Sequence, residues 1–417
     1  MTRADGSRAR LHHGVSLVLL VPNMVLGLVG AYLATLTAAA WRALSRGGGV
    51  TSTHDHARHR FIVAIAAHDE ERVLGQTLDS LAAVEYPTSL YAVHVVADNC
   101  TDATVEVACR RGVDVHERLA PEAPGKGPAL TWLLDRLRAR DEPHDAVVII
   151  DADTVVSPSF LRVMDAKLSR GDRVIQGYYA VRDPDSSWVV ALRYAALAVR
   201  HYLRPLARTS LGSSAGLHGN GMVLAADVMR GRRWSAHLTE DIEFEAELLL
   251  DGERVTFAPD AVIEAEMPRR LEEARTQHAR WERGRLEVAR RYVPRLLRAA
   301  WRGGPTDRIT CADAAVDHLI PQFSMLALVT APAVIASLVL WTLRRNALSR
   351  ANLGLAVSAA LVQGAYLASG LRMVGAPATV WRALLRAPRF VVWKAGVLMS
   401  AARPGAAVPW IRTARNS

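Results

Sequence analysis

The chain has 417 residues, half of them apolar, with 51 Lys and Arg against 41 Asp and Glu, a net charge of +10, and three cysteines. That length leaves room for two or three domains, and the apolar share is high for a soluble protein yet too low for one built only of membrane spans. Cys100, Cys109 and Cys311 show no CxxC spacing, which argues against a disulfide framework and agrees with a reducing compartment.

Residues 11–41 contain no Asp, Glu, Lys or Arg and are long enough to cross a bilayer as a helix. The run exceeds the ~7–15 apolar residues of a signal peptide, so residues 1–45 read as a retained anchor. Residues 46–60, with Gly47 to Gly49 and the stretch TSTHDHARHR, read as a linker. A metal site on His54, His56 and His59 is the alternative to a polar tether there.

From residue 61 the pattern changes. FIVAIAA (Phe61 to Ala67), YAVHVVA (Tyr91 to Ala97), VDVHE (Val113 to Glu117) and AVVII (Ala146 to Ile150) are strand-like, and a helix-like stretch follows each. Alternation of this kind predicts an α/β fold with a mostly parallel open sheet covered on both faces. Such a sheet binds ligands beyond the carboxyl ends of its strands. There the chain places HDEE (His68 to Glu71), DNCTD (Asp98 to Asp102) and DADT (Asp151 to Thr154). Carboxylates gathered at one edge repel unless a hard cation such as Mg²⁺ or Mn²⁺ joins them; the alternative is that each Asp caps the next helix. Neither GxGxxG nor GxxxxGK[ST] occurs, so a nucleotide diphosphate would be held through a cation rather than a glycine cradle.

Four further stretches carry polar chemistry. Lys126 sits in APGKGPA, one of only three lysines; a Gly-rich turn is its bland reading. HGNGMVLA, with Gly219, Asn220 and Gly221, puts glycines before a strand-like run, which permits close approach to the backbone. In TED, Thr239 reads as an N-cap, and Glu240 and Asp241 suit a helix's first turn as well as they suit catalysis. In TQHARWERGR, Gln277, Arg280 and Trp281 share one helical face, although all three need polar partners when buried.

Residues 269–302 hold eleven Arg and four Glu. That charge adjoins uncharged runs over 319–343 and 351–371, each long enough to be a span, so the basic partner is membrane lipid. Nucleic acid is set aside because no zinc-finger spacing or RNA-binding signature accompanies the charge. Residues 379–402 place Arg382, Arg386 and Arg389 opposite Leu384, Leu385, Val391 and Val392. This is an interfacial amphipathic helix, kinked by Pro388, with a fourth span as the alternative.

In order, AAHDEE, DNCTD, GKG, DADT, HGNG, TED and QHARW resemble the motifs of the inverting family 2 glycosyltransferases of the GT-A fold, in particular the membrane-embedded cellulose, chitin and hyaluronan synthase branch. The resemblance implies a multi-pass plasma-membrane enzyme with a cytoplasmic catalytic domain over 61–300 and a membrane region over 301–417. It implies a nucleotide-sugar donor, a UDP-sugar above all, bordered by Ala67, Asp69, Glu70, Asp98, Lys126, Asp151 and Arg280, with Asp153 on the Mg²⁺ or Mn²⁺. Asp241 is the implied base; Gly219, Asn220, Gly221, Glu240, Gln277 and Trp281 face a saccharide acceptor. QHARW resembles the signature of enzymes that add sugars repeatedly, in cell-envelope or extracellular polysaccharide synthesis. With so few spans, export would need another protein or a homo-oligomer. Transfer of one sugar to a polyprenyl-phosphate lipid, or a non-catalytic membrane scaffold, are the rival readings.

Overall fold

The computed structural model describes residues 3–47 and 57–401. His54, His56 and most of the linker lie outside them, as do residues from 402 onward. Among the described residues, eight strands form one sheet: β1 (Phe61–Ala67), β2 (Tyr91–Asp98), β3 (Asp114–Arg118), β4 (Ala146–Asp151), β5 (Thr154–Val156), β6 (Val174–Val181), β7 (Met222–Ala225) and β8 (Val255–Ala265). Their order is β3-β2-β1-β4-β7-β6-β8-β5. The first four strands pair in parallel, as the alternating pattern predicts. β7 then runs antiparallel to both β4 and β6, which makes the sheet mixed.

Parallel interior strands must bury both faces, and β1 does: Ile62 and Ala64 enter one core cluster, Phe61, Val63 and Ile65 the other. Parallel register also sets Ala66 beside Asp151 and Ala67 beside Ala97, so β1, β2 and β4 end on the same edge.

Among the described residues, three helices are long and apolar enough to cross a membrane: Gly14–Ser45 within the helix Arg3–Ser45, then Phe323–Leu343 and Ala347–Met373. They coincide with the expected runs. Leu33, Leu36, Ala39 and Ala40 of the first pack into the same core cluster as Ile62 and Leu130, so the sheet domain rests directly on this helix. Close packing inside the bundle uses small residues, with Gly30 against Ala359, as expected where lipid removes the hydrophobic drive between helices. Polar groups are matched: Asn23 Nδ2 donates to Asn352 Oδ1 at 2.7 Å and Ser337 Oγ at 3.1 Å, Asn352 Nδ2 donates to Ser16 O at 2.9 Å, and Gln363 Nε2 donates to Thr330 Oγ1 at 2.8 Å.

The expected helix over 379–402 is broken. Ala378–Ala383, a 3₁₀ turn at Leu384–Arg386 and Ala387–Ala401 replace it. Pro388 falls in the first turn of the last helix, where its missing N–H costs no bond. Val380, Ala383 and Phe390 bury themselves against Ala191, Leu192 and Ala195 of the helix Trp188–Leu197, while Leu385 and Val392 stay exposed.

Asn23→Ala removes the side chain that links all three long helices, through Ser337 and Asn352. Intramembrane hydrogen bonds average about 0.6 kcal/mol and reach about 1.7, so a loss of about 1 kcal/mol is expected, read as an earlier midpoint on SDS titration of the micelle-bound protein. An unchanged midpoint would mean that small-residue packing alone holds the bundle.

Candidate active site

A cavity of about 490 Å³ opens at the carboxyl edge of β1, β2 and β4 and runs to the apolar helices. Ala67, Glu70, Asp98, Lys126, Asp151, Asp153, Gly219, Glu240, Asp241, Gln277, Arg280 and Trp281 all line it. Three of the residues expected here do not. Asp69, in the left-handed conformation at φ 53°, aims its carboxylate at the Thr101 and Asp102 amides, at 2.7 and 3.3 Å. Asn220 is fully buried: its Oδ1 accepts from the Asp151 amide at 3.0 Å and its Nδ2 donates to Thr154 Oγ1 at 2.7 Å. Gly221 (φ 66°) lies so near Ile263 that a Cβ would come within 2.6 Å of its side chain. These two shape the loop that presents Gly219, and neither touches the cavity.

Lys126 ties the edge together. Its ammonium donates to Asp151 Oδ1 and to the carbonyl of Gly219. Burial works to lower its pKa, but Asp151, Glu240 and Asp241 override this and hold it above the ordinary lysine value. Gly219 (φ 75°) in turn sits against Asp241, whose Oδ2 would lie 3.2 Å from a Cβ there. So Asp151, Lys126, Gly219 and Asp241 form one continuous run.

Asp241 and Glu240 open the helix Glu240–Leu250. Thr239 occupies the cap position, but it makes no capping bond; its hydroxyl lies 3.3 Å from His237 Nδ1. Burial raises the pKa of both acids: Asp241 upward against the pull of Lys126, and Glu240, with Asp241 beside it, to about 7. The helix Leu271–Arg302 closes over them. Gly284 permits this, since a Cβ there would meet Thr239 at 2.7 Å.

Several residues went unread in the sequence. Arg118, in register with Asp98 at the end of β3, forms a buried ion pair with it, while the Gly125 amide donates to the other carboxylate oxygen at 3.3 Å. The signal was available: β3 ends on the same sheet edge. Arg193, 3% exposed, stands 5.2 Å from the Trp281 ring centre and contacts His278 and Met267. One face of Trp281 is therefore taken by a guanidinium. Tyr179, His201 and His218 stack at 5.1 and 4.2 Å along one wall. Burial lowers His201 to about 3 and His218 well below the imidazole range, so both rings are neutral.

One further group of ligand-type atoms, from Asp69, Cys100 and Asp102, lies within 4.8 Å of one another. Burial pushes the Cys100 thiol up to about 11, and the two carboxylates accept from the Thr101, Glu71 and Thr104 amides. The carboxylates of the cluster are thus engaged by backbone amides of the loop. His59, the described member of the linker histidines, pairs with Asp165 at 2.8 Å.

A mixed sheet with an acidic carboxyl edge, closed by an acid-bearing helix and an Arg/Trp helix, defines a sugar-transferring enzyme of the GT-A type. The chain belongs to the family described as glycosyltransferase like family 2, whose model matches residues 59–284. It is similar to beta-monoglucosyldiacylglycerol synthase of Nostoc sp., 26% identical over 45% of this chain and 41% of that protein. It is likewise similar to glucomannan 4-beta-mannosyltransferase 2 of Arabidopsis thaliana, 23% identical over 57% of this chain and 46% of that one. The matches thus span less than half the length of these relatives. In three dimensions it resembles a mannosyltransferase from Pyrobaculum calidifontis solved with GDP-Man and Mn²⁺, with a TM-score of 0.52, 18% identity, and coverage of 82% of this chain and 98% of that one.

A base must be ionised to take a proton, and Asp241 is held above the ordinary carboxylate value. The rate kcat/KM should therefore fall as pH is lowered, with a midpoint above the usual Asp value of about 3.9. Glu240, titrating near 7, is already neutral where Asp241 gains its proton, so Glu240→Gln should leave that limb in place. A native limb centred on about 4 would exclude Asp241 from this proton transfer.

Proposed function

We propose that the protein transfers a sugar from a nucleotide-sugar donor to a hydroxyl acceptor with inversion, at the cytoplasmic face of the plasma membrane. The observation that carries this is the run Asp151, Lys126, Gly219 and Asp241, which joins the donor edge of the sheet to a buried acid. The acceptor hydroxyl attacks the anomeric carbon, Asp241 takes its proton, and the bond from that carbon to the diphosphate oxygen breaks. Burial makes Asp241 the stronger base for this step. Attack from the side opposite the leaving group inverts the centre.

Asp151 and Asp153 offer an all-oxygen donor set that fits Mg²⁺ or Mn²⁺, and a cation already rests against Asp151 in the form of the Lys126 ammonium. Such an ion would supply charge neutralisation to the diphosphate. The Mn²⁺ and GDP-Man in the similar mannosyltransferase support both classes of ligand. Arg280, near Glu240, presents a planar fork of donors to the same phosphates. Gln277 and Trp281 bound the acceptor side.

A lipid-borne acceptor is favoured over a free saccharide because Leu33, Phe323, Leu326 and Tyr366 of the three long helices line the cavity. The similarity to a glycolipid synthase supports this as well. The QHARW resemblance is the support for repeated addition, which a ladder of products would reveal.

The test is nucleoside diphosphate release from detergent-solubilised protein over a panel of nucleotide sugars, with Mg²⁺ or Mn²⁺ and with EDTA. Release with one donor is expected, lost in EDTA. Asp241→Asn should cut kcat by about 10²–10⁴-fold, the usual share of general base catalysis, with donor affinity retained. A mutant keeping most of its activity would remove Asp241 from this role.

A further inference from the structure

The cavity continues past Asp241 toward the long apolar helices, and its charge changes sign on the way. Arg200 and Arg285 line this deeper part. Among the described residues no carboxylate lies within ion-pair distance of either, although the arginines nearby are matched: Arg204 pairs with Asp317 and Arg208 with Asp313, each at 2.7 Å. Glu282, the acid on the helical turn before Arg285, is taken by Lys394 at 3.1 Å.

Both guanidinium groups are held by backbone that adjoins the apolar helices. Arg200 lies in a π-helical turn, Ala198–Leu203, an irregularity that recurs at functional sites. Tyr366 of the third long helix donates to the Val199 carbonyl at 3.3 Å, and Gly370 packs against Val199. Arg285 donates one N–H to the Ile320 carbonyl at 3.2 Å, just ahead of the second long helix, and has further donors to give. Burial and repulsion from Arg200 lower Arg285 to about 10, against the pull of Glu282 and Asp317 from beyond ion-pair distance. Two guanidinium groups that face one cavity with no carboxylate in direct contact offer an anion a place between them.

The donor's diphosphate is assigned to Arg280, and Arg285 follows it by five residues, about 7.5 Å further along the helix. Leu33, Phe323, Leu326 and Tyr366 line the same cavity, a lining that suits a hydrocarbon chain.

We propose that Arg200 and Arg285 are the headgroup subsite for an anionic lipid acceptor, which places its phosphate on the two guanidinium groups, its chain among the apolar helices and its hydroxyl at Asp241. This rests on the transferase reading above and narrows its acceptor. Because Asp241 is there to take a proton, the attacking group is an alcohol rather than the phosphate itself. The new bond joins that alcohol oxygen to the anomeric carbon; the electron pair of the broken bond leaves with the nucleoside diphosphate. The acceptor therefore carries a phosphate, a separate hydroxyl and a long apolar tail. A phospholipid with a polyol headgroup and a sugar linked to an isoprenoid phosphate share that chemistry.

The experiment uses the full chain in phosphatidylcholine nanodiscs with the donor that releases nucleoside diphosphate. Phosphatidylglycerol, a polyprenyl-phosphate-linked hexose, diacylglycerol and a soluble oligosaccharide are supplied in separate arms, and products are read by mass spectrometry. One or both phosphate-bearing arms should be preferred over the neutral ones by about tenfold or more in kcat/KM, the scale of one charge-assisted contact; which of the two is glycosylated names the source. Arg200→Gln and Arg285→Gln should each raise the lipid KM by about tenfold with donor affinity unmoved, and Arg200→Lys should recover part of it. Equal use of diacylglycerol or the oligosaccharide, or an unchanged lipid KM in both Gln variants, would overturn the subsite. Asp241-dependent donor hydrolysis alongside either result leaves the transferase standing; absence of any donor turnover would bring down both.

Discussion

The site depends on one ammonium group. Lys126 stands between Asp151 and the Gly219 carbonyl, joining the end of β4, the GKG turn and the loop before β7. Around it Asp151, Glu240 and Asp241 crowd into one cavity, and their mutual repulsion is what its charge offsets. A lysine suits the place because its compact charge reaches two oxygens from different segments, where a planar guanidinium would demand a matching fork. The other lysines are also committed, Lys167 to Asp172 and Lys394 to Glu282. In a chain that otherwise uses arginine, each lysine marks an ion pair.

Arginine follows a different logic. The segment 269–302 looks uniformly basic on paper, and a lipid surface is the simplest partner for it. Folded, its arginines separate by direction. Arg283 and Arg291 pair with Glu287 and Glu243, while Arg280 and Arg285 line the cavity. One helix thus serves both as the lid over the TED acids and as the junction with the membrane helices. Gly284 makes this possible by letting the lid press against Thr239. The same junction carries the last helix, which docks Phe390 beside His278.

How much could be read in advance follows from the range of the interactions. β1 spans the residues that its apolar run predicted, and the three long helices coincide with the uncharged stretches, because burial on both faces or in lipid leaves a compositional mark. The spacing of Gln277, Arg280 and Trp281 placed all three on the cavity, since helical period is local. Antiparallel β7 was not legible: four residues carry no record of which neighbour they will pair with. Asn220 and Asp69 were misjudged because a polar residue in a loop reads the same whether it faces a ligand or satisfies a backbone amide.

The sequence by itself determined the class of sheet, the acids at its edge, the membrane helices and the family, all of which rest on local pattern and residue type. Only the tertiary structure decided which polar groups are spent on one another and which are left facing the cavity. Arg118 is consumed by Asp98, Arg204 by Asp317 and Asn220 by Asp151 and Thr154, while Asp241, Arg280, Arg200 and Arg285 line the open space. The physical reason is that pairing joins residues up to a hundred or more positions apart, and no local property of either partner reveals it.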